Sequence, residues 1–548
     1  MAFPPGLRFL FRRLPTLLKP PTFVYLSGFI CSRFLGITIS NWLLIAGCVL
    51  SLPFALTLSV LWYDYANRKA AAAHGAVVPP YVKSKPGGFD ILAAARKDKF
   101  IGHNLFRNTS IYGNIFYIRV MYQDRIFTSE PEYIKTILAT DFPGYEKGAI
   151  FREQMKTLLG IGVFNADDMQ KMLSIKCGHV FKKVTLSTGR RALSLRWSAL
   201  PPTANITQEN TNSVASQFSE AFLSAQEDSA SRGRYQQAWP LVEFWKDKVE
   251  AKKQFLDDYI NPILKEALEK KASMGEIGAS ERVSEDDTLL SHLLKVTDDA
   301  QYPSGRPRHH RMHLTFAVYR LSQHPDMLQR LREEILSQVG PFRRPTYEDI
   351  RNMKYLRAVI NETLRLYPPV PFNVRTALKD TARSTFHHGR PQHHSQDPQM
   401  HVLCVCDAPP DRFMGPRWCV TIASLCAVVF KHPVALHFDP DRFLDERVQK
   451  YLTHNPFIFL PFNAGPRICL GQQFAYNEVS FMLIRLLQQV STIELTQEVC
   501  PASVPPPDYH DSLGSDGTDK VWLKSHLTMY VKSGLWLKMG VASAQEAV

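Results

Sequence analysis

The sequence predicts a mainly α protein with a small β region (α+β), held behind an N-terminal membrane anchor. Three observations predict it. Thirty consecutive residues, Phe34 to Tyr63, carry no charge. Long stretches further on place apolar residues three and four apart, as on one face of a helix. Strand-like runs are few and short. With 45% hydrophobic and 21% charged residues, the 548-residue chain has enough apolar surface for a sizeable globular core.

The anchor region is 1–70. Its first 33 residues carry Arg8, Arg12, Arg13, Lys19 and Arg33 and no acid. The uncharged run that follows is long enough to cross a bilayer, with the span at about 36–63. Trp42, Trp62 and Tyr63 stand where interfacial aromatics belong. The run is too long and starts too late for a cleaved signal peptide. Arg68 and Lys69 offset the basic N-terminus, so charge alone does not orient it. Pro53 and an earlier apolar run, Phe23 to Cys31, leave a single span and a hairpin both open.

Val77-Val78-Pro79-Pro80 and Lys85-Pro86-Gly87-Gly88 read as a stiff hinge, 71–90, ahead of the remaining domain, 91–548. The domain opens with strands at Ile115 to Val120 and Arg125 to Thr128, joined by a short polar turn. A helix is expected at Glu130 to Leu138, and others at Pro240 to Lys271, Asp286 to Val296 and Leu314 to Gln338. In the last, Leu321, Leu328, Leu331 and Ile335 form one stripe, read as core packing.

A net charge of +14 and a pI near 9.2 favour anionic partners. The Lys and Arg residues are scattered and no reader motif occurs, so no nucleic-acid partner is expected. Nine cysteines, an odd number without a regular framework, argue for a reducing compartment rather than a disulfide scaffold.

Two motifs carry chemistry. Phe462-Asn463-Ala464-Gly465-Pro466-Arg467-Ile468-Cys469-Leu470-Gly471 sets one cysteine in a Gly/Pro-punctuated loop before a helix-like run, Gln472 to Val490. Gly465 and Gly471 suit turns or close approach to a ligand. Arg467 and the following helix N-terminus would favour thiolate. Such a thiolate is a nucleophile, a metal ligand or a haem ligand. Upstream, Glu362-Thr363-Leu364-Arg365 ends an apolar helical run and is followed by Pro368-Pro369. Glu and Arg three apart share a helix face and can pair. Phe438-Asp439-Pro440-Asp441-Arg442-Phe443 lies between the motifs.

Together these resemble the cytochrome P450 family, whose haem-binding signature is Phe-x-x-Gly-x-Arg-x-Cys-x-Gly. The resemblance runs over 100–165, 240–300, 314–380 and 438–538. It implies a haem-thiolate fold in which the Cys469 sulfur is the axial ligand of haem b iron, with Phe462, Gly465, Arg467 and Gly471 in the cofactor loop. It also implies a buried ion triad, Glu362, Arg365 and Arg442, and Arg375 beside a haem propionate. The implied reaction is insertion of one oxygen atom from O2 into a lipophilic substrate. Electrons would come from NADPH through an NADPH-cytochrome P450 reductase-like flavoprotein. The anchor implies the endoplasmic reticulum membrane, with the catalytic domain facing the cytosol. The phrase PFNAGPRICLGQQFA most resembles fungal alkane, fatty-acid and xenobiotic hydroxylases.

Three stretches depart from the family: 169–208, 301–313 and 383–437. The first lacks acidic residues and the expected Trp-x-x-x-Arg. The second, QYPSGRPRHHRMH, replaces the distal Ala-Gly-x-Asp/Glu-Thr motif, although Thr315 survives just beyond it. The third holds seven histidines and four of the nine cysteines. Cys404 and Cys406 beside His393, His394 and His401, or His309, His310 and His313, read as a metal site. Cys-x-Cys is not the usual zinc spacing, however, and no second matched pair follows it. The abrupt boundaries, the clustering of His, Arg, Pro and Cys and the loss of family motifs only there favour translated intron or shifted-frame sequence, ahead of genuine divergence. Without the acid–alcohol pair, proton delivery to bound dioxygen should fail or leak peroxide. The alternative function is a membrane-anchored haem-binding protein without monooxygenase activity.

Overall fold

The computed structural model describes residues 3–37, 39–73, 77–97, 101–160, 165, 214–273, 309–378, 381–384, 401–404, 419–423, 437–469, 471–509 and 519–542. Its longer helices are α1 (Pro5–Phe34), α2 (Asn41–Ala73), α3 (Phe89–Lys97), α4 (Ile101–Tyr112), α5 (Ala149–Leu159), α6 (Val214–Tyr235), α7 (Lys248–Ser273), α8 (His309–Gln323), α9 (Pro325–Val339), α10 (Lys354–Leu366) and α11 (Gln472–Gln489). Helix predominates, with small sheets to the side, as expected.

The uncharged run is not one helix. Gly36 turns the chain at a φ of +68°, so the second helix starts at Asn41 and continues past the expected span to Ala73. The residues read as a stiff hinge are tied to the first strand. The Val82 N–H donates to Tyr117 O at 2.9 Å and the Tyr117 N–H to Pro80 O at 2.8 Å. Residues 80–82 therefore add a short edge to the first strand.

The largest sheet has five strands in the order β1 (Ile115–Val120), β2 (Gln123–Thr128), β7 (Cys419–Ala423), β4 (Phe372–Ala377), β3 (Tyr145–Glu146). Val120 pairs with Gln123, so the β1–β2 turn is Met121-Tyr122, both left-handed, rather than the polar residues expected. β7 runs parallel to β2 and antiparallel to β4. Part of the compositionally odd segment 383–437 thus supplies the middle strand. Its alternating Val420 and Ile422 suit that place. The same segment contributes to a hairpin of β5 (Thr381–Ser384) and β6 (His401–Cys404). Two further pairs close the chain, β8 (Val490–Leu495) with β11 (Leu537–Val541) and β9 (Leu523–Ser525) with β10 (Met529–Val531).

The main core sits among α8, α9, α10 and α11, where Phe316, Leu321, Leu331, Ile335, Val359 and Leu483 are buried. Burying each such side chain contributes roughly 1.5–3 kcal/mol. The stretch expected as one helix, Leu314 to Gln338, is two, because Pro325 has no N–H and forces His324 out of the helical region, at φ −133°. The helix expected over Pro240 to Lys271 also breaks. Asp247 Oδ1 accepts the Val249 N–H at 2.8 Å and so caps α7 at a fresh start. The helix expected at Asp286 to Val296 lies outside the described residues.

His526, in the β9–β10 turn, stacks on Tyr530 at 4.5 Å. Burial lowers its pKa to about 4, partly offset by Glu227. A folded pKa below the unfolded value means stability present above pH ~6.5 and lost as pH falls toward 4. The loss amounts to about 3 kcal/mol. We expect His526→Phe, which keeps the stack without the titration, to flatten the denaturant midpoint across that window.

Candidate functional site

The Cys469 loop is closed by its own backbone. The Cys469 N–H donates to Phe462 O at 2.9 Å, the Ile468 N–H to Gly465 O at 3.0 Å, and the Gln472 N–H to Cys469 O at 3.3 Å. Asn463 sits left-handed at φ +65°, and its Nδ2 donates to Arg467 O at 3.1 Å. Phe462 is the loop's core plug, its ring 5.1 Å from Tyr476 and edge-on to His313 at 6.2 Å. Cys469 itself remains accessible, as do Pro466 and Ile468 beside it.

The two glycines have different reasons. Gly465 is left-handed at φ +66°, and a Cβ there would lie 1.8 Å from Leu138 O. The loop can approach the Thr136–Thr140 turn that closely only without a side chain. Gly471 has an ordinary φ of −85°, and its nearest neighbour to a new Cβ is the Cys469 Sγ at 3.9 Å. Nothing among the described residues crowds it. We therefore expect Gly465→Ala to lower the thermal midpoint clearly and Gly471→Ala to leave it nearly unchanged. Equal losses in differential scanning calorimetry would contradict this.

Arg467 lies on the side of the loop that faces Phe142. Its guanidinium lies over the Phe142 ring at 5.9 Å. Burial pushes the Cys469 thiol above its ordinary range, and the Gly471 N–H only partly opposes that. The protein alone therefore presents a thiol, and a bound cation has to displace the proton.

The structure brings Glu362, Arg365 and Arg442 together. Arg365 Nε and Nη2 donate to the two Glu362 oxygens, each at 2.7 Å. Arg442 Nε lies 3.5 Å from Glu362 Oε1, which also accepts the Asp439 N–H at 2.8 Å. Glu362 is fully buried and Arg365 nearly so. Two contacts then couple α10 to the helix after Cys469. The Tyr476 hydroxyl donates to Asn361 Oδ1 at 2.7 Å, and the Arg357 guanidinium lies 3.4 Å over the Tyr476 ring.

Arg375 stands on β4, buried, with Nη1 donating to Asn373 Oδ1 at 2.5 Å and to Val374 O at 2.9 Å. The metal reading of Cys404, Cys406, His393, His394, His401, His309 and His310 lies outside the described side chains. His313 is buried against Phe462. The stretches 169–208 and 301–308 also lie outside the described residues. Sequence reasoning missed Asn463, Asn361, Tyr476 and Asp439. Only the left-handed preference of Asn in a Gly/Pro loop offered a signal.

The donor set fits a prosthetic group. No cluster of three or more His, Cys, Asp or Glu suited to a metal ion occurs among the described residues. A single accessible thiol does not hold a bare ion, but it does suit an iron whose in-plane ligands come from a macrocycle.

The fold and this site define the class, a cysteine-thiolate haem protein. A model of the family "Cytochrome P450" matches residues 312–386 and 428–512. Cytochrome P450 52A7 of Candida tropicalis is 31% identical over 431 residues, covering 68% of this chain and 77% of that relative. Cytochrome P450 52-M1 of Starmerella bombicola is 29% identical, covering 80% and 88%. Cytochrome P450 monooxygenase pvhE of Talaromyces variabilis is 28% identical, covering 69% and 76%. A crystal structure of the cytochrome P450DA heme domain superposes with a TM-score of 0.53 over 86% of this chain and 100% of that one, at 16% identity. The chain belongs to the cytochrome P450 family. It is an oxidoreductase of the P450 monooxygenase type, with haem as its cofactor. Residues 387–427, inside the odd segment 383–437, are unmatched by the family model, which begins at 312, at the end of the histidine-rich run.

Proposed function

We propose that Cys469 is the axial thiolate of haem b, and that the enzyme hydroxylates a long-chain lipophilic substrate reached from the membrane. The carrying observation is the accessible Cys469 thiol in a backbone-closed loop, braced through Tyr476 and α10. Bound there, haem supplies O2 reduction and insertion of one oxygen atom into a C–H or C=C bond. Cys469 would supply the anionic sulfur that favours O–O cleavage, its proton leaving as the iron binds. The Phe462–Cys469 and Cys469–Gln472 backbone bonds hold the residue that carries that sulfur at one place in the loop. Gly465 lets the loop pack on Leu138, and Gly471 leaves room beside the sulfur. Arg375 supplies a buried guanidinium for a propionate. The Glu362, Arg365 and Arg442 triad is structural, fixing the segment behind the loop.

The electrons come from NADPH through a membrane-bound flavoprotein reductase, whose acidic face suits a chain of +14 charge. The membrane is the endoplasmic reticulum, and the domain, 91–548, faces the cytosol. A C12–C18 alkane or fatty-acid panel with NADPH, reductase and membranes expressing the chain tests the substrate class. Hydroxylated product from none of them would overturn it.

The same assay tests coupling. QYPSGRPRHHRMH carries no acid–alcohol pair, so NADPH should be consumed mostly to peroxide, with product a small fraction of NADPH oxidised. A near-stoichiometric product yield would contradict the weak coupling expected.

A further inference from the structure

We propose that α1 and α2 cross the bilayer together as an antiparallel hairpin, so that the residues ahead of α1 lie on the same side as the catalytic domain. By length and apolarity alone, α2 is the one span found among the described residues. Four features of the fold assign α1 to the membrane beside it.

The first is packing. Along the crossing, residues rise on one helix as they fall on the other. A Cβ on Gly28 would lie 2.6 Å from Leu44, and one on Gly47 would lie 3.2 Å from Val24. Lower down, the Cys48 thiol reaches Pro21 O at 3.5 Å. Helices that associate inside lipid use small residues at the crossing in this way, since dispersion contacts must replace the missing hydrophobic drive.

The second is what the pair leaves bare. Leu18, Phe23 and Phe29 on α1, and Leu43, Val49 and Phe54 on α2, are each half or more exposed. In water a two-helix unit with this surface would be an aggregation site. In hydrocarbon it is simply the lipid face. Leu14 to Phe34 and Trp42 to Trp62 each measure about 30 Å at 1.5 Å per residue. That matches a hydrocarbon core of about 30 Å.

The third is where the ends go. The Gly6 N–H donates to Phe244 O at 2.9 Å, and a Cβ on Gly6 would sit 2.2 Å from the Phe244 ring. Arg13 donates to Gln237 Oε1 at 2.8 Å. On α2, Asp64 pairs with Arg119 of β1 at 2.7 Å and accepts the Tyr81 hydroxyl at 3.1 Å. The start of α1 and the end of α2 are thus both seated on the domain. The Leu35–Ser40 turn is the far end.

The fourth is charge. A single span separates Arg8, Arg12 and Arg13 from Arg68 and Lys69, placing basic clusters on both sides. The hairpin gathers all five at the domain end and leaves only Arg33 near the turn. Loop orientation follows the side richer in Lys and Arg, so the ambiguity in the linear sequence disappears. Lys19, the one charge on α1 between Arg13 and Arg33, is exposed and near enough the domain end to reach the headgroups.

The test uses the full chain in sealed microsomes treated with protease from outside. One form carries an epitope ahead of residue 1, the other an epitope inserted between Gly36 and Ile37, and a third epitope at the C-terminus reports the domain. The expected result is that the N-terminal epitope shares the fate of the domain epitope. The turn epitope should show the opposite fate, until detergent opens the vesicles. An N-terminal epitope with the opposite fate from the domain would overturn the proposal in favour of a single span. So would cleavage of all three in intact vesicles, which would mean the pair lies on the surface. The readout needs neither haem nor turnover, so it stands or falls apart from the proposed reaction.

Discussion

Replacing Cys469 by Ala is expected to abolish the strongly red-shifted Soret band of reduced, carbon-monoxide-bound membranes while leaving the protein folded. The separation follows from the site. The loop's backbone bonds, from Cys469 N–H to Phe462 O and from Gln472 N–H to Cys469 O, need no side chain at 469. The thiol is accessible rather than part of the core, so its removal should cost about 1 kcal/mol or less. The iron, however, would lose its only protein-derived anionic donor in the loop. The measurement is the reduced-CO difference spectrum beside an urea denaturation curve of the same variant. A retained band would mean that another residue ligates the iron. A lost band with an equally lost unfolding transition would mean that Cys469 is needed for folding instead.

Glu362→Ala should have the largest effect on stability, about 3–5 kcal/mol. Glu362 is fully buried and is the common acceptor for Arg365, Arg442 and the Asp439 N–H. Removing it leaves a nearly buried guanidinium without its carboxylate, and a charge without a partner in low dielectric is far more costly than an absent pair. The exposed Arg330–Asp441 pair, at 2.9 Å, provides the internal comparison. Solvent screens it, so Asp441→Ala should change stability by less than about 1 kcal/mol. Chemical denaturation of the two variants side by side decides the matter. Equal effects would mean that the triad is no more desolvated than a surface ion pair.

Some of this was legible before any fold. The Phe-x-x-Gly-x-Arg-x-Cys-x-Gly loop, the Glu362–Arg365 spacing and the uncharged run are local patterns. Local patterns survive translation into structure because a turn, a helix face or a span depends on neighbours in sequence. Strand β1 accordingly lies at Ile115–Val120, as expected. Helix ends were less legible. Pro325 and the Asp247 cap each divided a stretch that periodicity alone joins. The neighbour of Arg467 was not legible either, because its guanidinium lies over Phe142, far away in sequence.

The sequence by itself determined the family, the candidate cysteine loop and an uncharged run long enough to cross a bilayer, since each rests on residue types in short local patterns. Only the tertiary structure decided which glycine is indispensable to the loop, that Arg442 closes on Glu362, and that 419–423 completes the sheet. It alone brought the two ends of the α1–α2 pair onto one domain. Those are contacts between segments tens to hundreds of residues apart. They form because burial and pairing repay the entropy of closing long loops, and no spacing rule in a linear chain records which closures do.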